Sequence, residues 1–151
     1  MGKVNIMGNR AVIAFSDNKN ATGIYVHWNG GVESVLAFTH AARDMGARSP
    51  NGDQTYAMAG LVRAVTLFMH YRPGELLSMG IGSVSSLDTD NFDNGLFVIG
   101  DDWNIKTRYF NRDSIRSVEQ FDDRQKAQYD SIRACILERH ILMCEHDKEA
   151  A

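Results

Sequence analysis

Arg10-Ala-Val-Ile-Ala-Phe15 is apolar and β-branched, the composition of a buried strand, and the polar cluster Ser16 to Asn20 after it predicts a turn. Thr22 to Trp28 alternates, placing Ile24, Val26 and Trp28 on one face and Gly23, Tyr25 and His27 on the other. The two runs together predict a hairpin, and Asn29-Gly30-Gly31 breaks the second of them. From about 32 to 46, Val32, Val35, Leu36, Phe38, Ala42 and Met45 recur at helical spacing, with Gly46 as the natural stop. Asp53 is a good N-cap for a second helix carrying Tyr56, Leu61, Val62, Val65, Phe68 and Met69, which ends before Pro73-Gly74.

Further strands are predicted at Leu76 to Gly82, Gly95 to Ile99 and Trp103 to Phe110, the last two joined by a hairpin turn at Gly100-Asp101-Asp102. Neither Gly nor Pro interrupts the stretch from Asp122 to about Lys148, where Tyr129, Ile132, Ile136, Leu137, Ile141 and Met143 give a long C-terminal helix a broad apolar face. The order β-β-α-α-β-β-β-α predicts an α+β domain: a mainly antiparallel sheet, helices packed on it, and a long C-terminal helix over 122–148. Asp113 to Arg116 and Asp130 to Arg133 share the sequence DSIR, but four residues recurring once do not make a repeat architecture. The apolar positions of the last helix spread too widely for one small sheet, so part of it is expected to bury against a second copy, making a homodimer. On that expectation a truncation after Phe121 leaves the sheet intact.

Composition narrows the function classes. At 151 residues the chain (1–151) fits one domain, and 44% hydrophobic with 23% charged residues supplies a core without disulfides or metal. A net charge of −3 argues against nucleic acid as the partner, since phosphate neutralisation needs surplus Lys and Arg. No apolar run has signal-peptide or membrane-spanning length, and Ile6 stands where a myristoylation motif needs Ser or Thr. Cys135 and Cys144 on one helix are separated by about 13 Å of rise, too far to bridge. Two unpaired thiols point to a reducing, cytoplasmic setting.

Two segments could carry chemistry. Tyr25-Val-His-Trp-Asn-Gly-Gly31 brings a strand end with His27, Trp28 and Asn29 to a glycine pair, Gly30 and Gly31, before a helix start. It could form a pocket on Tyr25 or Trp28 with an anion at the helix end. Alternatively, the glycines supply only a tight turn with positive φ, and Trp28 fills core. The second segment, Leu87 to Gly95, offers Asp88, Asp90, Asp93, Asn91 and Asn94 as hard oxygen ligands, but Phe92 falls where the calcium-loop template needs an oxygen. The favoured reading there is an Asx-rich turn, with no metal and no cofactor. Of the five histidines only His27 invites an acid–base role, provided an aspartate lies close; His140 and His146 are out of ligand register, and no zinc or serine-hydrolase motif occurs. Arg10, Arg43, Arg63, Arg108 and Arg112 fall on different elements, with Arg108 and Arg112 placed to meet an acidic partner.

Met7-Gly-Asn-Arg-Ala-Val-Ile13, the Tyr25–Gly31 segment and Leu87-Asp-Thr-Asp-Asn-Phe-Asp-Asn-Gly95 together resemble a family of small uncharacterised proteins from phages and prophages. The likeness runs from Met7 to about Phe110 and makes Met1 to Ile6 an extension. The resemblance implies a setting among accessory genes that blunt host defences, such as anti-CRISPR-like inhibitors or nucleotide-signal sponges, and supplies no catalytic residue. Two readings follow. One is a non-catalytic binder that captures a host protein or a small nucleotide through Tyr25, His27, Trp28, Asn29, Gly30, Gly31 and Arg108. The alternative is a small hydrolase or nucleotide-processing enzyme using His27 with the Asp88–Asp93 carboxylates. Convergence of His27, the acidic loop and a free helix terminus on one cleft would favour the enzyme.

Overall fold

The computed structural model describes residues 8–69, 77–110, 113–115 and 120–150. Strands β1 (Ala11–Ala14) and β2 (Thr22–Val26) are followed by helices α1 (Val32–Asp44) and α2 (Gln54–Met69). Then come β3 (Met79–Ser83), β4 (Leu96–Ile99), β5 (Ile105–Phe110), β6 (Asp113–Ile115) and the helix α3 (Asp123–Ala150). The strands form one six-stranded sheet in the order β3-β2-β1-β4-β5-β6. All neighbours pair antiparallel except β1 and β4, which run parallel, with Val12 beside Leu96 and Ala14 beside Val98. The α+β class and mainly antiparallel sheet therefore stand as expected, with two additions: the parallel central pair, and β6, whose sequence gives no strand pattern. Residues 1–7, with the methionine that opens the first family-like motif, and His70, Pro73-Gly74, Leu76 and Arg112 lie outside the described residues.

Alternation decides which layer each strand residue joins. Ala11, Ile13, Ile24, Val26, Phe97 and Ile99 point to one face and are buried against α1, α2 and the first half of α3. Val12, Ala14, Leu96 and Val98 point to the other, where Val84, Leu87, Tyr25 and Tyr109 close a smaller cluster. A strand buried on both faces must be apolar throughout, which is why β1 and β4 read AVIA and LFVI. No helix among the described residues is long and apolar enough to cross a membrane.

The C-terminal helix is buried over part of its length. Tyr129, Ile132 and Ile136 are buried in the main core against the other helices, so the first half of α3 is a structural layer and not an interface. Only Ile141, Leu142 and Met143 stand out, at 55%, 58% and 48% exposure. Arg133 ties the helix to α1 through Asp44, and Arg139 donates to the carbonyls of Leu67 and Phe68 at the end of α2 at 2.6 and 2.9 Å. Cys135 and Cys144 are both free thiols on this helix. Truncation after Phe121, expected from sequence to spare the sheet, should instead abolish the cooperative thermal transition, because it strips three core side chains from α1 and α2; circular dichroism melts check this.

His40 joins three elements. Its Nε2 donates to Asn104 Oδ1 at 2.7 Å, which leaves Nδ1 to accept from the Tyr129 hydroxyl at 2.6 Å in the neutral ring. Tyr129 in turn accepts from Arg133 at 3.3 Å. Burial holds the His40 pKa below its ordinary value; the Asn104 hydrogen bond works against this, Arg43 and Arg133 reinforce it, and Asp44 opposes it. The unfolded chain therefore takes up this proton at higher pH than the folded one, so stability falls as pH drops below about 6.5 and levels off below the folded pKa. The melting temperature should decline between about pH 7.5 and 5.5, and His40→Gln should flatten that decline. A parent profile already flat over this range would refute the assignment.

Candidate functional site

Both candidate segments meet at one end of the sheet, where β1 and β4 begin and β2 ends. Before β1, the Asn9 amide donates to the His27 carbonyl at 2.8 Å, and the Gly30 amide donates to the Asn9 carbonyl at 2.8 Å. Gly30 has to be glycine because a Cβ there would lie 2.5 Å from the Asn9 carbonyl oxygen and 2.8 Å from the Ala11 Cβ. The sharp backbone of this corner belongs to Asn29, at φ 59°, and not to the glycines; Gly31 is extended at φ −65° and caps α1. The Glu33 carboxylate lies against Gly31, so this negative side chain already occupies the helix end that was read as an anion site.

Asn91 organises the acidic loop. Only 1% exposed, its Oδ1 accepts from the amides of Asp93, Asn94 and Gly95 at 3.0–3.1 Å, and its Nδ2 donates to the carbonyls of Asp88 and Gly95. This is the Asx-type turn expected from sequence, built on Asn91 in particular. Gly95, at φ 73°, passes so close to the Tyr109 carbonyl that no side chain fits. Asn94 fastens the loop to the start of β1, donating to Asn9 Oδ1 at 2.6 Å and to the Arg10 carbonyl at 3.0 Å. Asp93 does the same from its carboxylate, which accepts from both the Arg10 amide (3.0 Å) and Arg10 Nε (2.8 Å). These hydrogen bonds hold the Asp93 carboxyl below its ordinary pKa, with a smaller contribution from nearby His27. Asp88 lies 4.0 Å from the same guanidinium.

Tyr25 lies on β2 and His27 just past its end, and the tyrosine hydroxyl lies 2.9 Å from His27 Nδ1. Burial raises the Tyr25 pKa, and Arg10 partly offsets that. Sequence spacing had set Trp28 among the core residues of β2. The strand stops at Val26, however, and Trp28 turns out 47% exposed, its ring edge-on to His27 at 5.1 Å. Phe92 is more exposed still, at 75%, with φ 62°. Arg108 reaches the site through Asn94: it donates to that residue's carbonyl at 3.0 Å and stacks over Phe97 at 4.8 Å, bracing the loop from the helix-covered side. Asp90 stands apart, lining a cavity with Asp17 and Tyr109.

His27 and the acidic loop therefore converge, as the enzyme reading requires, with Asn9 bonded to both and Arg10 paired to the loop. In the sequence Arg10 opens a buried strand and falls on a different element from the other arginines, and its partner Asp93 lies 83 positions away. Among the described residues no group of three or more His, Cys, Asp and Glu side chains is arranged to hold a metal ion. Compared with protein-family models, curated proteins and solved structures, the chain matches none. Replacing Asn91 with Ala removes five hydrogen bonds and leaves the Asp93 and Gly95 amides and the Asp88 carbonyl without these partners, and should cost about 2–4 kcal/mol. In urea titrations this appears as a lower midpoint with an unchanged slope; a shift under about 0.5 kcal/mol would mean that the loop holds its shape by other means.

Proposed function

We propose that this chain is a non-catalytic binding protein of phage accessory type, which captures or blocks a host protein through the sheet end formed by residues 25–31 and 88–93. The supporting observation is how the groups there are used. Arg10, Asp93, Asn91, Asn94 and Asn9 bond to one another and to backbone, and Tyr25 bonds His27. Trp28 and Phe92 are offered to solvent. Holding a bulky residue in the left-handed region costs about 1–2 kcal/mol, and exposing its ring gains the isolated fold nothing. Rigid aromatic anchors flanked by polar groups are what a protein partner uses as binding hot spots. A nucleotide fits less well, because the Glu33 carboxylate lies against Gly31 at the helix end and Arg10 is already paired.

The hydrolase reading draws on the Tyr25–His27 pair and its nearness to Asp93. Against it, Asp93 is engaged twice by Arg10 and is poorly placed to serve as a base. Arg108 donates to the Asn94 carbonyl and so supports the acidic loop beside this surface.

The test compares stability and binding in the same variants, using the partner recovered from a host lysate. Phe92→Gly should raise stability by about 1 kcal/mol through relief of the left-handed strain, and yet weaken binding at least fivefold. Trp28→Ala and His27→Ala should weaken binding with little change in melting temperature. Asn29→Gly is a cleaner probe than Asn29→Ala, since it keeps the positive φ. Variants that all bind like the parent would remove this surface from consideration, and hydrolytic activity lost on His27→Ala would favour the enzyme.

A further inference from the structure

β3 is the outer strand of the sheet, and among the described residues no strand pairs with its outer edge, which carries none of the features that ordinarily block strand addition. Long natural edges are guarded by charge, proline or bulges. From Leu76 to Leu87 there is no Asp, Glu, Lys, Arg or Pro. β3 reads MGIGS in regular register with β2, and Ile81 stands 58% exposed beside buried Ile24, one strand further out. Gly80 adds an independent sign. A Cβ built there meets nothing within 4 Å, so packing within the monomer does not call for glycine.

The direction of the backbone groups follows from the pairing. The His27 amide donates to the Ser78 carbonyl at 3.1 Å, and the Val84 amide donates to the Ala21 carbonyl at 2.8 Å. The even residues 78 to 84 therefore bond inward to β2, and the odd residues Met79, Ile81 and Ser83 turn their amides and carbonyls outward. The Ser83 carbonyl is taken by the turn that follows, from the amides of Ser86 and Leu87. What remains is centred on Ile81, with a glycine on each side of it.

We propose that this edge is a self-association surface, on which a second copy of the chain adds its own β3 antiparallel about a two-fold axis through Ile81. In that register Ile81 pairs with Ile81 of the second copy and exchanges both backbone hydrogen bonds with it. The Ser83 amide donates to the partner's Met79 carbonyl, and the reciprocal bond forms by symmetry. Gly80 and Gly82 face each other without side chains to obstruct approach. The exposed isoleucines, on one face, bury each other. An unrelated extended peptide could use the same backbone groups, but the near-symmetry of Gly-Ile-Gly about its centre favours a copy of itself. This moves the expected dimer away from α3, whose exposed apolar residues amount to one turn pointing in three directions.

Light scattering over a concentration series tests the assignment, with amide hydrogen exchange measured on the same samples. The parent should pass from monomer to dimer mass as concentration rises, and the Ile81 amide should become protected over the same range. Ile81→Lys opposes two like charges across the axis and should leave a monomer with a parent-like melt. Leu142→Glu, on α3, should leave the dimer intact. A parent still monomeric at about 1 mM chain, where a millimolar contact would be substantially formed, overturns the proposal, whatever else the edge binds. So does a dimer that survives Ile81→Lys, or one that Leu142→Glu dissolves.

Discussion

The central parallel pair sets the main constraint on this fold. Two parallel strands cannot be joined by a tight turn, and here β4 must lie beside β1 although the chain leaves β3 two positions away. Residues 84–95 make that passage over the sheet face opposite the helices. Val84 and Leu87 pack on the way, and Asn91, Asp93 and Asn94 secure the arrival. The Gly95 carbonyl then accepts from the Val12 amide at 2.9 Å, and the parallel register begins. A loop with so few apolar contacts could not hold this path by burial, so polar anchors do it. Asp93 and Asn94 join the loop to Asn9 and Arg10, immediately before β1, while Asn91 holds the loop's own backbone.

That constraint explains which sequence expectations survived. Elements with strong periodicity emerged within a few residues of the structure: α1 and α2 from their helical spacing, β1 and β4 from unbroken apolar runs, α3 from its freedom from Gly and Pro. Pairing partners were less legible. Nothing in Leu96 to Ile99 says that its neighbour is β1 rather than β3, because a strand buried on both faces looks the same in either place. β6 is three residues long and gave no alternation to detect. Trp28 was misplaced because alternation was extended past the point where the Asn9 carbonyl captures the Gly30 amide and turns the chain.

The same logic separates the candidate chemistry from the structural polar groups. Residue types alone made the acidic loop look like a ligand set and Arg10 like a surface cation. In place, the Asp93 carboxylate is matched by Arg10 and the Asn91 side chain by loop backbone, so their polarity is spent on geometry. His40 shows the converse. It drew no attention in the sequence, yet both its nitrogens are engaged and its proton affinity is altered by burial. Polar residues that tie elements together leave no local pattern, since their partners lie 64 and 89 positions away.

The end of the sheet near β1 is held by a dense set of polar bonds. Asn91 fixes the backbone on both sides of Phe92, accepting from the amides of residues 93 to 95 and donating to the Asp88 carbonyl. A bulky residue persists at positive φ only where its surroundings over-determine the chain, and these bonds provide that. The ring is consequently presented with little backbone freedom left to lose on contact. Trp28 is held by the same means from the opposite side: the His27 carbonyl and the Gly30 amide, on either side of it, both bind Asn9. An aromatic pair fixed in advance binds with a smaller ordering cost than the same rings on mobile loops. The polar network of the loop thus fixes Phe92 as Asn9 fixes Trp28, and both rings stand exposed on one surface.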